Sequence, residues 1–510
     1  MPRLTPMESH MAEPNAADLH RDVAALRQRV ERGGHDIFQA WRRHLKARRV
    51  TAGARNLADY LALRAADVAA MQPHLAARGL SSLGRSEAHV QASIAALEAT
   101  LARLAGVADP PPYPSPARFA AGRRTLSRSQ QELFGPAPDG GRTGTRIMVT
   151  LPSEAATDTT LADALVAAGM SSARINCAHD DAGAWRAMAA QVRRAAAAAG
   201  RECRILMDIG GPKCRIETVH AAGKVRLFTG DRFVLARSLA EARSTDAVVA
   251  TIAFPHLVDL LQPGAEIWIN DGRIGARVTE CAAGRAVLEV TAARAKGERL
   301  KPEKGINFPG MEMGLDPITQ EDLADLDAVA ELADLVGFSF VQRPEDIARL
   351  DAELAARRPG RPPLPLLLKI ETQHAVENLP ALIVAAGARG PVAVMIARGD
   401  LAVELGFSRL SEMQEEILWI CEAAHVPVVW ATQVLDGLVS DGIPTRAEAT
   451  DAAMAQRAEC VMLNKGPHVV AAVEFLADVL GRMARHQSKK TARLPVLRSW
   501  LPGPENPSEA

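Results

Sequence analysis

The sequence predicts an α/β protein built on a (β/α)8 barrel. A small β-rich domain is inserted after the third barrel strand, and a helical domain precedes the barrel. Three observations carry this reading. Beyond about residue 140, eight short apolar runs alternate with helical segments, the pattern of parallel strands covered on both faces. Eight such units suit a closed barrel better than an open sheet. The interval between "CRILMD" and "ADLVGFSF" is far too long for one connecting helix and carries strand alternation instead.

Residues 1–107 read as helical. Leu19, Val23, Leu26 and Val30 fall at helical spacing, as do Val90, Ile94, Leu97, Leu101 and Leu104, with Ser86 as an N-cap for the second stripe. Residues 108–143 contain "ADPPPYPSPARF" and "FGPAPDGGRTGT" in part or whole and read as a Pro/Gly-rich linker. The first part of the barrel is expected over 144–216, with runs "RIMVTL", "ARINC" and "CRILMD". The Ala-rich stretch before Arg201 is taken as the end of a good helix. The inserted lid is expected over 217–302, from "KVRLFTGDRFVL", "AEIWINDGRIGARV" and "GRAVLEV" with their Gly-Asp and Asp-Gly turns. The remaining runs, "ADLVGFSF", "LPLLLKIE", "VAVMIA", "VPVVWAT" and "ECVMLN", place the second part of the barrel over 303–486. A polar tail over 487–510 follows.

Composition removes several function classes. Lys+Arg and Asp+Glu both number 60, so no general attraction to nucleic acid or an anionic membrane is expected. Aromatic content of 4% is too low for base-stacking platforms. No apolar run reaches the length of a membrane span, and "MPRLTPMESHMAEPN" lacks the apolar core of a signal peptide. Six cysteines without a C-x-x-C pair fit reduced thiols in a cytoplasmic protein and argue against zinc.

In such a barrel, chemistry gathers at the C-terminal ends of the strands. The fifth run supplies Lys369 and Glu371, two apart and therefore on one face. An ordinary ion pair is an equal reading of that couple alone. The sixth ends in "ARGDL", where Gly399 and Asp400 either open a helix toward an anion and a metal, or form a turn with a capping aspartate. The second supplies Arg174, Asn176 and His179, the third Asp208, and the seventh Thr432. Singly each is more often structural. Together on one rim they suit Mg²⁺ and phosphate better than zinc.

The motifs "LLLKIETQHAVENL", "VMIARGDLAVEL", "WATQVLDGLVSDGIPTRAEATDAAMA", "EKGINFPGM", "ARINCAHD", "INDGRIGARV" and "LVGFSFVQRPEDI" resemble those of the pyruvate kinase family, in order, from about residue 144 to 480. The resemblance implies phosphoryl transfer from phosphoenolpyruvate to ADP, giving pyruvate and ATP. It implies that Glu371 and Asp400 bind Mg²⁺ (or Mn²⁺), and that Lys369 faces the phosphoryl group in transfer. It assigns Arg174 to the phosphate, Gly399 and Asp400 to the substrate carboxylate, and Thr432 to the methylene carbon. It assigns Pro152, His179, Arg215 and Lys304 to the nucleotide, and implies that the inserted domain closes as a lid.

Three positions depart from the family together. A serine and a threonine of its K⁺ site are here Ala178 and Ile209, and a glutamate of K⁺-requiring members is Lys213. Lys213, with Asn176 and Asp208, is therefore expected to replace the ion, making K⁺ unnecessary. The family's "SGET" region is replaced by Asn464-Lys465-Gly466-Pro467, and no counterpart of its C-terminal domain is expected. The N-terminal helices either form an oligomer interface or cap the barrel, and the structural role is favoured. A homo-oligomer is expected. Two other readings stay open: an enolate-forming lyase or decarboxylase on a pyruvate-type substrate, and a catalytically weak regulatory or binding protein.

Overall fold

A computed structural model describes residues 14–45, 52–137, 144–221, 223, 226–489 and 491–492. The eight apolar runs become eight parallel strands: Arg146–Thr150, Ser172–Asn176, Arg204–Asp208, Leu335–Phe338, Leu366–Ile370, Val392–Ala397, Val428–Ala431 and Cys460–Leu463. They close into a TIM barrel, each strand hydrogen-bonded to its neighbours in sequence among the eight, the eighth returning to the first. Most strand residues are buried on both faces, which is why the runs are apolar throughout rather than alternating. Among the described residues no helix is long and apolar enough to cross a membrane, and the six cysteines are free.

The insertion follows the third strand. Its core is a seven-stranded sheet in which Ile216–Ala221 forms one edge and Ile306–Asn307 the other. The sheet thus reaches past residue 302, the expected end of the lid. A two-residue strand has no periodicity to read, so sequence alone passes over Ile306–Asn307.

The segment expected as a linker contains instead a 19-residue helix, Pro116–Phe134. Prolines drew that reading, but Pro116 stands at the first helical turn, where a missing N–H costs nothing. The helix ends by driving Leu133 and Phe134 into the barrel interior among Met148, Leu206, Leu367, Met395 and Met462. Arg146 at the start of the first strand donates to the Gly135 carbonyl at 2.9 Å, which places this plug at the N-terminal mouth. The opposite mouth is left for chemistry. Residues 138–143 of the expected linker and the tail beyond Ala492 lie outside the described residues.

Leu19, Val23, Leu26 and Val30 are buried, as expected of a packed stripe, and share one continuous core with the barrel's helical layer. Ser86 does not cap the helix Val90–Leu104; its hydroxyl donates back to Leu83 O at 2.8 Å, and a short 3₁₀ turn, Glu87–His89, intervenes. That turn is a docking point. Asn56 Nδ2 donates to Glu87 O at 2.6 Å and to Ala423 O at 2.8 Å, joining the N-terminal helices to the barrel helix Phe407–Ala424. His425 Nε2 meets Ala88 O at 2.9 Å beside it.

Phe134→Ala should destabilise the protein by about 3–4 kcal/mol, because the emptied barrel floor is ringed by strands that cannot collapse. Urea unfolding measures it, and a loss below about 1 kcal/mol would place the plug outside the cooperative core.

Candidate active site

Asp208 ends the third strand and is wholly buried. Its Oδ2 accepts from Arg174 Nε at 2.8 Å and Nη2 at 2.5 Å, and lies 3.3 Å from Lys369 Nζ. Lys369 in turn donates to Ser339 Oγ at 2.6 Å and reaches Glu371 Oε1 at 3.1 Å. Glu371 Oε2 accepts the Phe340 N–H at 2.7 Å. Four strands, the second to the fifth, therefore deliver one network of alternating charge. Gly337 makes room for it, since a Cβ there would stand 2.7 Å from Asp208 Oδ1.

The network decides its own protonation. Burial pushes the Asp208 carboxyl up, but Lys369 and Arg174 outweigh burial and leave it below the usual range. Burial disfavours the Lys369 ammonium, and Asp208 and Glu371 more than restore it, so its pKa is raised. Glu371 is held up by burial and by the nearby charge of Asp400, against the pull of Lys369. One lysine thus faces two carboxylates, with Arg174 charged beside it.

Lys213 lies elsewhere than expected. Its Nζ sits on Asp400, 2.8 Å from Oδ1 and 3.0 Å from Oδ2, and not on Asn176 or Asp208. Asp208 is already committed to Arg174 and Lys369. The turn after it carries Lys213 away: Gly211 takes φ +67 and donates to Asp322, and Pro212 follows. Asn176 Oδ1 instead accepts the Ala178 N–H at 3.3 Å. Asp400 has a second partner in Asn307 Nδ2, at 3.5 Å from its Oδ1. Asn307 also serves Glu404, whose carboxyl burial lifts to about 7 against the hydrogen bond from that amide. Both chain crossings into the lid, at Lys213 and at Asn307, thereby touch Asp400.

Gly399 and Asp400 lie in the first turn of the helix Arg398–Leu405, opening directly from the sixth strand. Thr432 stands beside Gly399 and adopts φ +63, followed by Gln433 at +54. A β-branched residue in that region is strained, and such strain gathers at functional sites. Arg398 holds it there, donating to Ala431 O at 2.8 Å and Thr432 O at 2.6 Å while paired with Asp451. Sequence reading passed over Arg398, Ser339, Asn307 and Glu404. The "ARGD" stretch offered Arg398, but its partner Asp451 is 53 residues away.

The nucleotide-side residues are gathered only in part. His179 is lowered by burial, then by the cations Lys465, Arg215 and Arg174 against Asp180, which puts these groups in one field. Lys465 belongs to the stretch that seemed only a loss. Arg215 Nη1 donates to Glu303 O at 3.0 Å, tying it to the lid turn that precedes Lys304. Pro152 lies in the loop after the first strand, and Lys304 lines a concavity of the lid. Among the described residues neither side chain bonds to the network around Lys369.

A family model for the barrel domain of pyruvate kinase matches residues 142–468. The chain belongs to the pyruvate kinase family. It is 34% identical to pyruvate kinase of Agrobacterium vitis over 353 residues, 66% of this chain and 67% of that one. It is 30% identical to the Bacillus licheniformis enzyme over 330 residues, 62% of this chain and 53% of its relative. With the Mycobacterium tuberculosis enzyme the figures are 32% over 327 residues, 63% and 66%. The chain thus spans between about half and two thirds of these relatives. Matched residues end before the helix Val469–His486 and begin after the helical domain.

The donor set suits a hard divalent ion. Glu371 and Asp400 lie close enough that the charge of Asp400 raises the Glu371 carboxyl, and both offer oxygen only. No group of three or more His, Cys, Asp or Glu that could hold a metal occurs among the described residues. Asp400 must also share or release Lys213 for such an ion.

Asp208→Asn should cost about 3 kcal/mol or more at neutral pH by leaving Arg174 and Lys369 under-compensated. Because the folded carboxyl sits below its unfolded pKa, its contribution is present above about pH 4 and fades as pH falls further. Urea unfolding of both proteins from pH 7 to 3 should show the gap narrowing. A gap independent of pH would refute the charged-anchor role.

Proposed function

We propose that the protein transfers the phosphoryl group of phosphoenolpyruvate to ADP, giving pyruvate and ATP, in the cytoplasm and as a homo-oligomer. The observation that carries the reading is the buried Lys369, held charged between Asp208 and Glu371 at the barrel mouth. Phosphoryl transfer needs little covalent help from a protein and much fixed positive charge. Arg174, oriented by Asp208, takes the phosphate oxygens, and Lys369 neutralises charge on the group in flight. The first-turn N–H groups of Gly399 and Asp400 receive the substrate carboxylate. Thr432, clamped by Arg398, positions the proton that reaches the methylene carbon. His179, Arg215, Lys304 and Pro152 line the side from which ADP enters, and Lys465 adds charge there.

Glu371 and Asp400 would hold Mg²⁺ or Mn²⁺, which when bound supplies charge neutralisation of the phosphate. Lys213 supports independence from K⁺ by a route other than first expected: a tethered ammonium already lies on Asp400, so a fixed positive charge stands at the site without a monovalent ion.

A coupled assay with phosphoenolpyruvate, ADP and Mg²⁺ tests the activity. Lys369→Met should lower kcat by about 10²–10³-fold or more, and wild-type turnover no higher than that variant would reject it. Pyruvate released from oxaloacetate alone would favour the lyase reading. In tetramethylammonium buffer, adding K⁺ should leave the rate unchanged; strong stimulation would remove the role given to Lys213.

A further inference from the structure

We infer that the lid carries a binding site for a polyphosphate chain, an anion with at least three negative charges. It extends the proposed function and rests on that reading only for the role of Lys304. The site is a concavity of about 340 Å³ built wholly from the inserted domain. Seven of its nine lining residues are lysine or arginine. In a chain whose charges balance overall, such a concentration is a local feature rather than a consequence of composition.

The backbone holds these cations together before any ligand arrives. Glu298–Arg299 pairs antiparallel with Arg226–Leu227, and Arg226 Nη1 clamps the carbonyls of Lys296 at 3.1 Å and Gly297 at 2.9 Å. Asn270, in the strained turn that brings Arg273 to the rim, donates its N–H to Gly305 O at 2.9 Å. Three separate segments therefore meet on a formed scaffold.

Neutralisation within the pocket is nearly absent. Glu298 is the single lining carboxylate, and Arg294 takes it at 3.1 Å. Lys296, Arg299, Lys301 and Arg273 make no ion pair among the described residues. A concave surface of one sign focuses field lines and raises the local concentration of counter-ions. The occupant follows from the remaining chemistry. No aromatic ring lines the pocket, so it offers a base nothing to stack on, and its volume suits a few phosphate groups rather than a nucleic-acid strand.

Isothermal titration of the full chain with inorganic tripolyphosphate tests this, alongside a variant combining Lys296→Ser, Arg299→Ser and Lys301→Ser. These three side chains are exposed and outside the proposed catalytic network. Tripolyphosphate should bind the wild type at low salt, weaken as salt rises, and bind the variant about tenfold or more weakly. Circular dichroism of the variant should match the wild type. Unaltered tripolyphosphate binding in the variant, or no binding to the wild type, would overturn the inference. Turnover at saturating phosphoenolpyruvate and ADP should persist in the variant. Loss of tripolyphosphate binding with turnover intact separates this site from the proposed reaction, whose own failure would abolish turnover in both proteins.

Discussion

A carboxylate with no exposed surface, Asp208, ties the working mouth of this barrel together. It accepts two bonds from Arg174 and the charge of Lys369, so the second, third and fifth strands are registered to one another at their chemical ends. Burying a charge costs several kcal/mol unless partners compensate, and the same partners would be costly without it. The network is therefore better understood as a device for position than as a source of net stability. It fixes where a lysine points and keeps that lysine charged. Everything assigned to the substrate phosphate depends on this arrangement.

Asp400 is the second centre, and it connects the mouth to the lid. Lys213 reaches it from the chain entering the insertion, and Asn307 from the chain leaving. Asp400 is thus bonded to both chain crossings between the barrel and the insertion. The floor is secured independently by Leu133 and Phe134, which seal the opposite mouth from a helix outside the matched barrel domain. The N-terminal helices dock through Asn56 and Ala423 onto an outer barrel helix. Their contacts lie on the barrel's floor and side, away from Lys369.

Much of the fold could be read directly. Eight apolar runs of strand length, separated by helices, translate into eight parallel strands because burial on both faces leaves no polar alternation. Lys369 and Glu371 were legible as a pair because a strand sets residues two apart on one face. Ser339, Asn307 and Arg398 were not. Each acts through a partner distant in sequence, and nothing in its own neighbourhood marks it. The helix Pro116–Phe134 was hidden by the prolines that precede it, although the last of that run begins it.

Sequence alone determined the barrel, the insertion after its third strand, the kinship of residues from about 144 to 480, and the chemical types gathered at the rim. These follow from periodicity, spacing and local motif, which are properties of neighbouring residues. Only the tertiary structure decided which charge meets which. Lys213 was placed by sequence with Asn176 and Asp208, three positions that share a region of the motif map. In the folded chain Asp208 is saturated, the Gly211 turn redirects the backbone, and the ammonium lands on Asp400. Pairing among buried charges is settled by distance and by competition for partners, and neither is written along the chain.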